Sequence, residues 1–264
     1  MKILFIGDIV GRPGRRAVRE GLPLLQERYG PFDLVLANAE NAAGGNGLTA
    51  ALAKELTGYG VDFMTTGNHV WDQKEFVEEI AQVENVLRPL NLPPGTPGRG
   101  WALVPARNGL SVGLLNAGGK IFMPYDNPFL IVEETVERLR EQTPIIVVDF
   151  HAEATSEKLA MGWFLDGRAT LVVGTHTHVQ TADETILPNG TAYITDVGMT
   201  GPHDSVIGVD KEGVLRRFLT QMPAKLDVAS GDVRLCAVAV QADPETGRAL
   251  SIERLCLRLP DSSG

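Results

Sequence analysis

Cysteine is scarce in this chain of 264 residues, where only Cys236 and Cys256 occur. They fall about evenly on either side of a turn at Pro244–Gly247, a spacing that lets them face each other across a hairpin. Two thiols without an export signal read as reduced and structural, not as a disulfide framework. Long apolar runs are missing as well. None approaches the roughly 18 residues of a membrane span. The opening MKILFIGDIVG carries one Lys and too short an apolar run for a signal peptide, so it reads as a first strand. The expected location is the cytoplasm. A basic excess is also absent: 24 Lys and Arg stand against 33 Asp and Glu, a net charge of −9. That balance argues against long nucleic acid as a partner, because binding a phosphate backbone takes clustered cations. A small phosphorylated substrate remains open, since bound divalent metals can reverse the local sign. Histidine is rare too, with five in all. The positions of those five are therefore informative.

What is present is a 44% hydrophobic chain, enough for a sizeable core. No solenoid repeat, low-complexity tract or linker divides it, so residues 1–264 read as one domain. A buried-type strand over Lys2–Gly7 ends in Asp8 and the turn GRPGR, and a helix follows to about Tyr29 with Pro13 in its first turn. Asp8 is either a ligand at a strand end or a helix cap. Arg12, Arg15 and Arg16 are either phosphate contacts or solvated helix positions. The next strand, Asp33–Asn38, runs into Glu40-Asn41 and the loop AAGGNG, with a helix from about Thr49. A third strand, Asp62–Thr66, ends in the GNH of 67–69, and Asp72 with Glu75 reads as the N-terminal box of another helix. This alternation implies a parallel sheet with helices packed on it.

Residues 86–100 are rich in Pro and Gly and read as loop. Two strands, Trp101–Ala106 and Ser111–Asn116, are joined through an Asn-Gly turn. A helix over Pro128–Glu141 leads to the strongest strand, Ile145–Phe150, which ends at His151. A helix over Ser156–Asp166 and a strand over Ala169–Val173 lead into GTHTH, 174–178. Thr185–Leu187 and Thr191–Thr195 flank Asn189-Gly190 as a hairpin. Then come the loop GMTGPHDSVIG with His203, a helix around Gly213–Gln221 and a hairpin over Val233–Ala242 and Ala249–Leu257. Early βαβ units followed by hairpins suggest two packed sheets with helices outside, an α/β fold.

GTHTH is the focus of this pattern. In an extended segment residues i and i+2 point to the same side, so His176 and His178 can face one point. The pair is either a metal site or two hydrogen-bonded histidines. Five strand ends together offer Asp8, Glu40-Asn41, Asn68-His69, His151 and His176/His178. Mixed N and O donors of this number suit a pair of borderline ions such as Fe, Mn or Zn better than one closed tetrahedral site. No Cys belongs to the set, which disfavours a structural zinc.

The order of these motifs resembles the calcineurin-like metallophosphoesterases: an N-terminal Asp, a bridging acid, GNH, a lone His and GHxH. Where that family has Asp-x-His, this chain has Asp8-Ile9-Val10. Where it has a bridging Asp in GDxxD, this chain has Glu40-Asn41, and GTHTH inserts Thr175 after the glycine. With GDIVGRPGR, NAENAAGG, TTGNHVWD, VDFHAEATSEK and TGPHDS, those departures resemble the YmdB-like branch from Lys2 to about Gly208. The resemblance implies a four-layer α/β/β/α sandwich with a dinuclear site at the strand C-terminal ends. One half-site would take Asp8, Asn41 and His178, the other Asn68, His151 and His176, with Glu40 bridging. It also implies phosphodiester hydrolysis, notably of 2′,3′-cyclic nucleotides, by attack of metal-bound hydroxide. Two metals about 3.5–4 Å apart suit that chemistry, because they acidify a shared water and steady both oxygens of an in-line displacement. His69, one residue beyond Asn68, is then the expected general acid; the other reading has it hydrogen-bonding a metal ligand. His203 lies in a loop without ligand spacing; the other reading has it touching substrate or a carboxylate behind the ligands.

The competing readings are a metal-dependent phosphomonoesterase or nucleotidase, and a regulatory protein that keeps metals for folding. An amidohydrolase is disfavoured, because its His-x-His belongs to the first strand of a barrel. Association into a homo-oligomer is left open.

Overall fold

The computed structural model describes residues 1–260; the last four residues of the expected domain lie outside the described residues. The first third of the chain forms β1 (Lys2–Ile6), β2 (Asp8–Ile9), α1 (Gly11–Tyr29), β3 (Leu34–Asn38), α2 (Ala50–Gly58), β4 (Phe63–Thr65), α3 (Phe76–Glu79) and β5 (Val86–Leu87). The middle adds β6 (Trp101–Pro105), β7 (Ser111–Gly118), α4 (Phe129–Arg140), β8 (Ile146–His151), α5 (Thr155–Phe164) and β9 (Leu171–Thr175). Then follow β10 (Thr185–Ile186), β11 (Ala192–Ile194), β12 (Met199–Pro202), α6 (Lys211–Thr220), β13 (Val233–Ala242) and β14 (Ala249–Arg258).

Two sheets result. One runs β2-β12-β13-β1-β3-β4-β5 with β14 also paired to β13, and the other runs β10-β11-β9-β8-β7-β6. Alternation along each strand divides the core into three layers. Ile3 and Phe5 of β1 join Leu34, Leu36, Val147, Leu171 and Val173 between the sheets. Leu4 and Ile6 turn the other way, against Val18, Leu22 and Leu25 of α1. On the second sheet Ile146, Val148 and Phe150 meet Val132 and Val136 of α4. Strands buried on both faces read as unbroken apolar runs, which is why β1, β3 and β8 stood out in the sequence. The order of layers is helix, sheet, sheet, helix. No helix among the described residues is long and apolar enough to cross a membrane.

Three local expectations are corrected. The span 86–100 contains β5, paired in parallel with β4. The loop around His203 contains β12, paired with both β2 and β13. Asp72 and Glu75 do not box a helix: α3 starts only at Phe76, lasts one turn and has no side-chain cap. Asp72 instead engages His69, a charge-assisted contact that competes successfully with capping. The expected last hairpin forms and is built into the first sheet. β13 lies antiparallel to β1 inside the first sheet, so the end of the chain completes the sheet that the beginning starts. Across that hairpin Cys236 and Cys256 are register partners, as their spacing suggested. Both are free thiols, 3.8 Å apart.

Candidate metal centre

Each sheet brings its parallel strands' C-terminal ends to the same edge of the sandwich, where open α/β sheets carry their sites. Asp8 opens β2 one residue beyond β1, Glu40 and Asn41 follow β3, and Asn68 and His69 follow β4. From the other sheet His151 closes β8, while His176 and His178 follow β9. Gly67 is required at this junction. A Cβ there would lie 2.2 Å from His151 Nε2 and 2.4 Å from a Glu40 carboxylate oxygen.

The donors gather in two adjoining groups. His151 Nε2 lies 3.0 Å from Glu40 Oε1, 3.1 Å from Asn68 Oδ1 and 3.1 Å from His176 Nδ1. Glu40, His151 and His176 form the one group of His, Cys, Asp or Glu atoms among the described residues close enough to hold a metal ion. In the second group Asn41 Nδ2 lies 3.1 Å from His178 Nε2, and Asp8 Oδ1 is 4.0 Å from the same nitrogen. Glu40 Oε1 reaches this group too, 3.4 Å from Asn41 Nδ2. For Asn41 to ligate, its amide must turn over, which exchanges Nδ2 for the isosteric Oδ1. All seven residues singled out from the sequence therefore meet at one place, with Glu40 between the halves.

The expectation of an extended GTHTH is corrected. His176 has φ +100° and His178 φ +65°, values that side chains other than glycine rarely adopt and that cost about 1–3 kcal/mol each. The chain turns after Thr175, so the two imidazoles part and enter different groups instead of facing one point. A buried ion pair holds this turn: Lys158 Nζ is 2.7 Å from Asp196 Oδ2. The same oxygen accepts from the Thr177 amide at 3.1 Å and from its hydroxyl at 2.6 Å.

Hydrogen bonds on the outer side of each ring decide where its lone pair points. Thr175 Oγ1 donates its one proton to Asp149 Oδ1 at 2.7 Å, so at 2.8 Å from His151 Nδ1 it must accept. His151 is thereby protonated on Nδ1 and presents Nε2 inward. His178 Nδ1 donates to the Ile207 carbonyl at 2.8 Å, and His176 Nε2 faces Glu153 Oε2 at 2.8 Å. The inward nitrogens of His151 and His176 thus face each other beside the Glu40 carboxylate, and that of His178 faces Asn41 and the Asp8 carboxylate. Asp8 Oδ1, fully buried, has no hydrogen-bond partner among the described residues. So electron-rich a donor set calls for cations, and metal ions fit it.

The protonation equilibria carry the same message. Burial opposes charge on Glu40 and His151, yet each is stabilised by the other, so Glu40 falls to about 2 and His151 rises to about 9. Burial and then the His151 charge push His176 down to about 3. Burial lifts Asp8 to about 6 against the pull of His178 and His151.

His69 belongs to neither group. Its backbone amide donates to Glu40 Oε2 at 3.1 Å and its Nδ1 lies 2.8 Å from Asp72 Oδ2. The ring is partly exposed, on the wall of a cavity of about 470 Å³ whose lining includes Glu40, Asn41, Asn46, His176, His178, Ile207 and Leu226. No Lys or Arg lines that cavity. Arg15 is used structurally, on Glu55 and the Ala42 carbonyl. His203 also stands apart, its Nε2 on the Met199 carbonyl at 3.0 Å.

The family described as YmdB-like protein matches residues 4–255. The chain belongs to it. It is 51% identical to a 2′,3′-cyclic-nucleotide 2′-phosphodiesterase of Bacillus subtilis, over 97% of each chain. A crystal structure of a hypothetical protein from Thermus thermophilus shares 46% identity at a TM-score of 0.88, covering 98% of this chain and all of that one. A phosphatase structure from Mycoplasma pneumoniae shares 35% identity at a TM-score of 0.90, covering 99% of this chain and 95% of its own. In this YmdB-like chain the sequence reading had missed Thr175, Asp149, Asp196, Lys158 and Glu153. Asp149 did leave a signal, a carboxylate within the apolar run IIVVDF. Lys158 left none, because its partner is 38 residues away.

Proposed function

We propose that this chain hydrolyses the 2′,3′-cyclic phosphate of ribonucleosides at a two-metal centre and breaks the P–O2′ bond, as the name of the Bacillus relative specifies for that protein. The observation that carries the reading is a floor of inward-facing donors beneath a cavity without Lys or Arg. Asp8, Asn41 and His178 would hold one ion and Asn68, His151 and His176 the other, with Glu40 shared. The donor types favour Fe or Mn, with Zn as the alternative. Bound there, the ions supply an acidified water and neutralise charge developing on the phosphate oxygens. Two divalent ions less the carboxylates of Asp8 and Glu40 leave a small positive excess, which suits a singly charged diester. A doubly charged monoester would find no further cation in this wall.

His69 acts on the leaving group. Asp72 fixes one ring nitrogen and leaves the other free to donate a proton to O2′ as the P–O2′ bond breaks, while the oxygen of water bonds to phosphorus. Such acid catalysis is worth about 10²–10⁴-fold. Glu40 also orients His69 through its backbone amide. Two free thiols in a family of this kind fit a reducing compartment, and we place the enzyme in the cytoplasm. The test is chromatography of products from 2′,3′-cyclic AMP with manganese added. The expected product is 3′-AMP, formed faster than 3′,5′-cyclic AMP or simple monoesters are cleaved. If nucleoside monophosphates are much the better substrates, a nucleotidase replaces this reading.

A further inference from the structure

Beside the catalytic cavity lies a second groove of about 630 Å³, whose lining includes Ile207, Val209, Arg217, Phe218 and Leu226. Ile207, Val209 and Leu226 line both spaces, so the two are continuous across a low apolar ridge. The ridge is tied to the metal centre, because the Ile207 carbonyl is what His178 Nδ1 bonds. Beyond it the chemistry changes. Phe218 is 78% exposed on α6, an aromatic face open to whatever occupies the groove. The Arg217 guanidinium, one position away, lines the same groove, and no hydrogen bond or ion pair engages it among the described residues.

We propose that this groove is a second nucleotide subsite, and that the enzyme takes short oligoribonucleotides ending in a 2′,3′-cyclic phosphate. The inference rests on the diesterase reading above and extends it in the 5′ direction. A terminal nucleotide fits a cavity of about 470 Å³, which lies within the usual range for small-ligand sites. Its 5′ oxygen must then lead outwards over the ridge. The next residue along brings one base and one internucleotide phosphate. Phe218 offers the base a stacking face, and stacking on an aromatic side chain tolerates any base. Arg217 offers the phosphate a planar cation. The catalytic cavity has no Lys or Arg, whereas a lone unpaired Arg stands where a second phosphate would lie, in a protein of net charge −9. That local complementarity distinguishes this occupant from a plain apolar partner. Ends of this kind form when an RNA chain is cut by attack of its own 2′-hydroxyl, so a reaction of that class must supply the substrate. The reaction is unchanged in kind: water adds to phosphorus, the P–O2′ bond breaks, and O2′ takes up a proton.

The experiment compares kcat/KM for 2′,3′-cyclic AMP with that for a diadenosine nucleotide ending in a 2′,3′-cyclic phosphate. The wild type should favour the dinucleotide by about tenfold or more. Phe218→Ala and Arg217→Gln should each shrink that ratio several-fold, whereas Leu130→Ala, a 75% exposed position on α4, should leave it alone. A parallel binding measurement uses the products, the dinucleotide 3′-phosphate against 3′-AMP, with the same variants. Absence of a wild-type preference in both measurements, or a preference that both groove variants retain, overturns the subsite. So does a fall in oligomeric state for Phe218→Ala without a change in the ratio, which makes the groove a contact between copies. Failure to turn over any cyclic phosphate strikes the diesterase reading, and the product-binding measurement then still decides the groove.

Discussion

Replacing Thr175 by Val probes the inner logic of the metal centre, because it removes one hydroxyl and almost no volume. That hydroxyl makes three buried hydrogen bonds, donating to Asp149 at 2.7 Å, facing His151 Nδ1 at 2.8 Å and accepting a long one from the Asn38 amide at 3.4 Å. Asp149 keeps the Asn38 amide at 3.0 Å and the Thr65 hydroxyl. His151 Nδ1, wholly buried, keeps a long approach to the Asn38 amide, which is itself a donor, and Asp8 Oδ1 at 3.9 Å, beyond hydrogen-bond reach. A buried donor left unsatisfied costs about 1–3 kcal/mol, so Thr175→Val should unfold at lower temperature. The larger effect falls on the metals. With no acceptor behind it, His151 has no reason to keep its proton on Nδ1, and Nε2 is no longer reserved as a ligand. Loss of an outer partner of this kind typically costs about 10–100-fold in metal affinity or activity. Competition with a chelator, followed by elemental analysis, should show one ion lost before the other, and Thr175→Ser should restore both. Should Thr175→Val hold both ions as tightly as the wild type, the tautomer argument is wrong.

Other perturbations separate the remaining roles. Glu40→Ala should deplete both metals while His151→Ala mainly depletes one; two ions retained by Glu40→Ala would remove Glu40 from the bridging position. His69→Ala should keep its metals and lose little on nitrophenyl esters but a great deal, about 10²-fold or more, when a ribose oxygen must leave; equal losses on both substrates would count against a proton donor. Cys256 is held near 6 by the Cys236 thiol hydrogen bond and by Arg234, against the effect of partial burial. Its folded-state value lies below the ordinary thiol range, so alkylation should rise through about pH 6 and level off by about pH 7. Alkylation that still climbs steeply above about pH 8, where an ordinary thiol titrates, would refute that environment.

A good deal of this architecture was legible in the chain alone. Unbroken apolar strands and the helices between them specify an α/β fold, since a strand buried on both faces has no polar positions to spare. The ends of β1, β3, β4, β8 and β9 carried oxygen and nitrogen donors in an order that already resembled one branch of one family, and all seven candidate ligands do meet. The remainder emerges only on folding. Period and composition mark Val233–Ala242 as a strand but cannot tell a terminal hairpin from a central strand, because pairing partners at opposite ends of the chain leave no local mark; only the pairing with β1 places β13 inside the sheet. Nor could spacing show that His176 and His178 part company, because their positive φ values follow from Lys158, Asp196 and Thr177 packing beneath the turn. Which nitrogen of each imidazole faces inward was decided the same way, by Thr175, Glu153 and the Ile207 carbonyl, groups brought up from elsewhere in the chain. Ligand identity is a property of residue type and strand end. Ligand orientation depends on what packs behind, and that exists only in three dimensions.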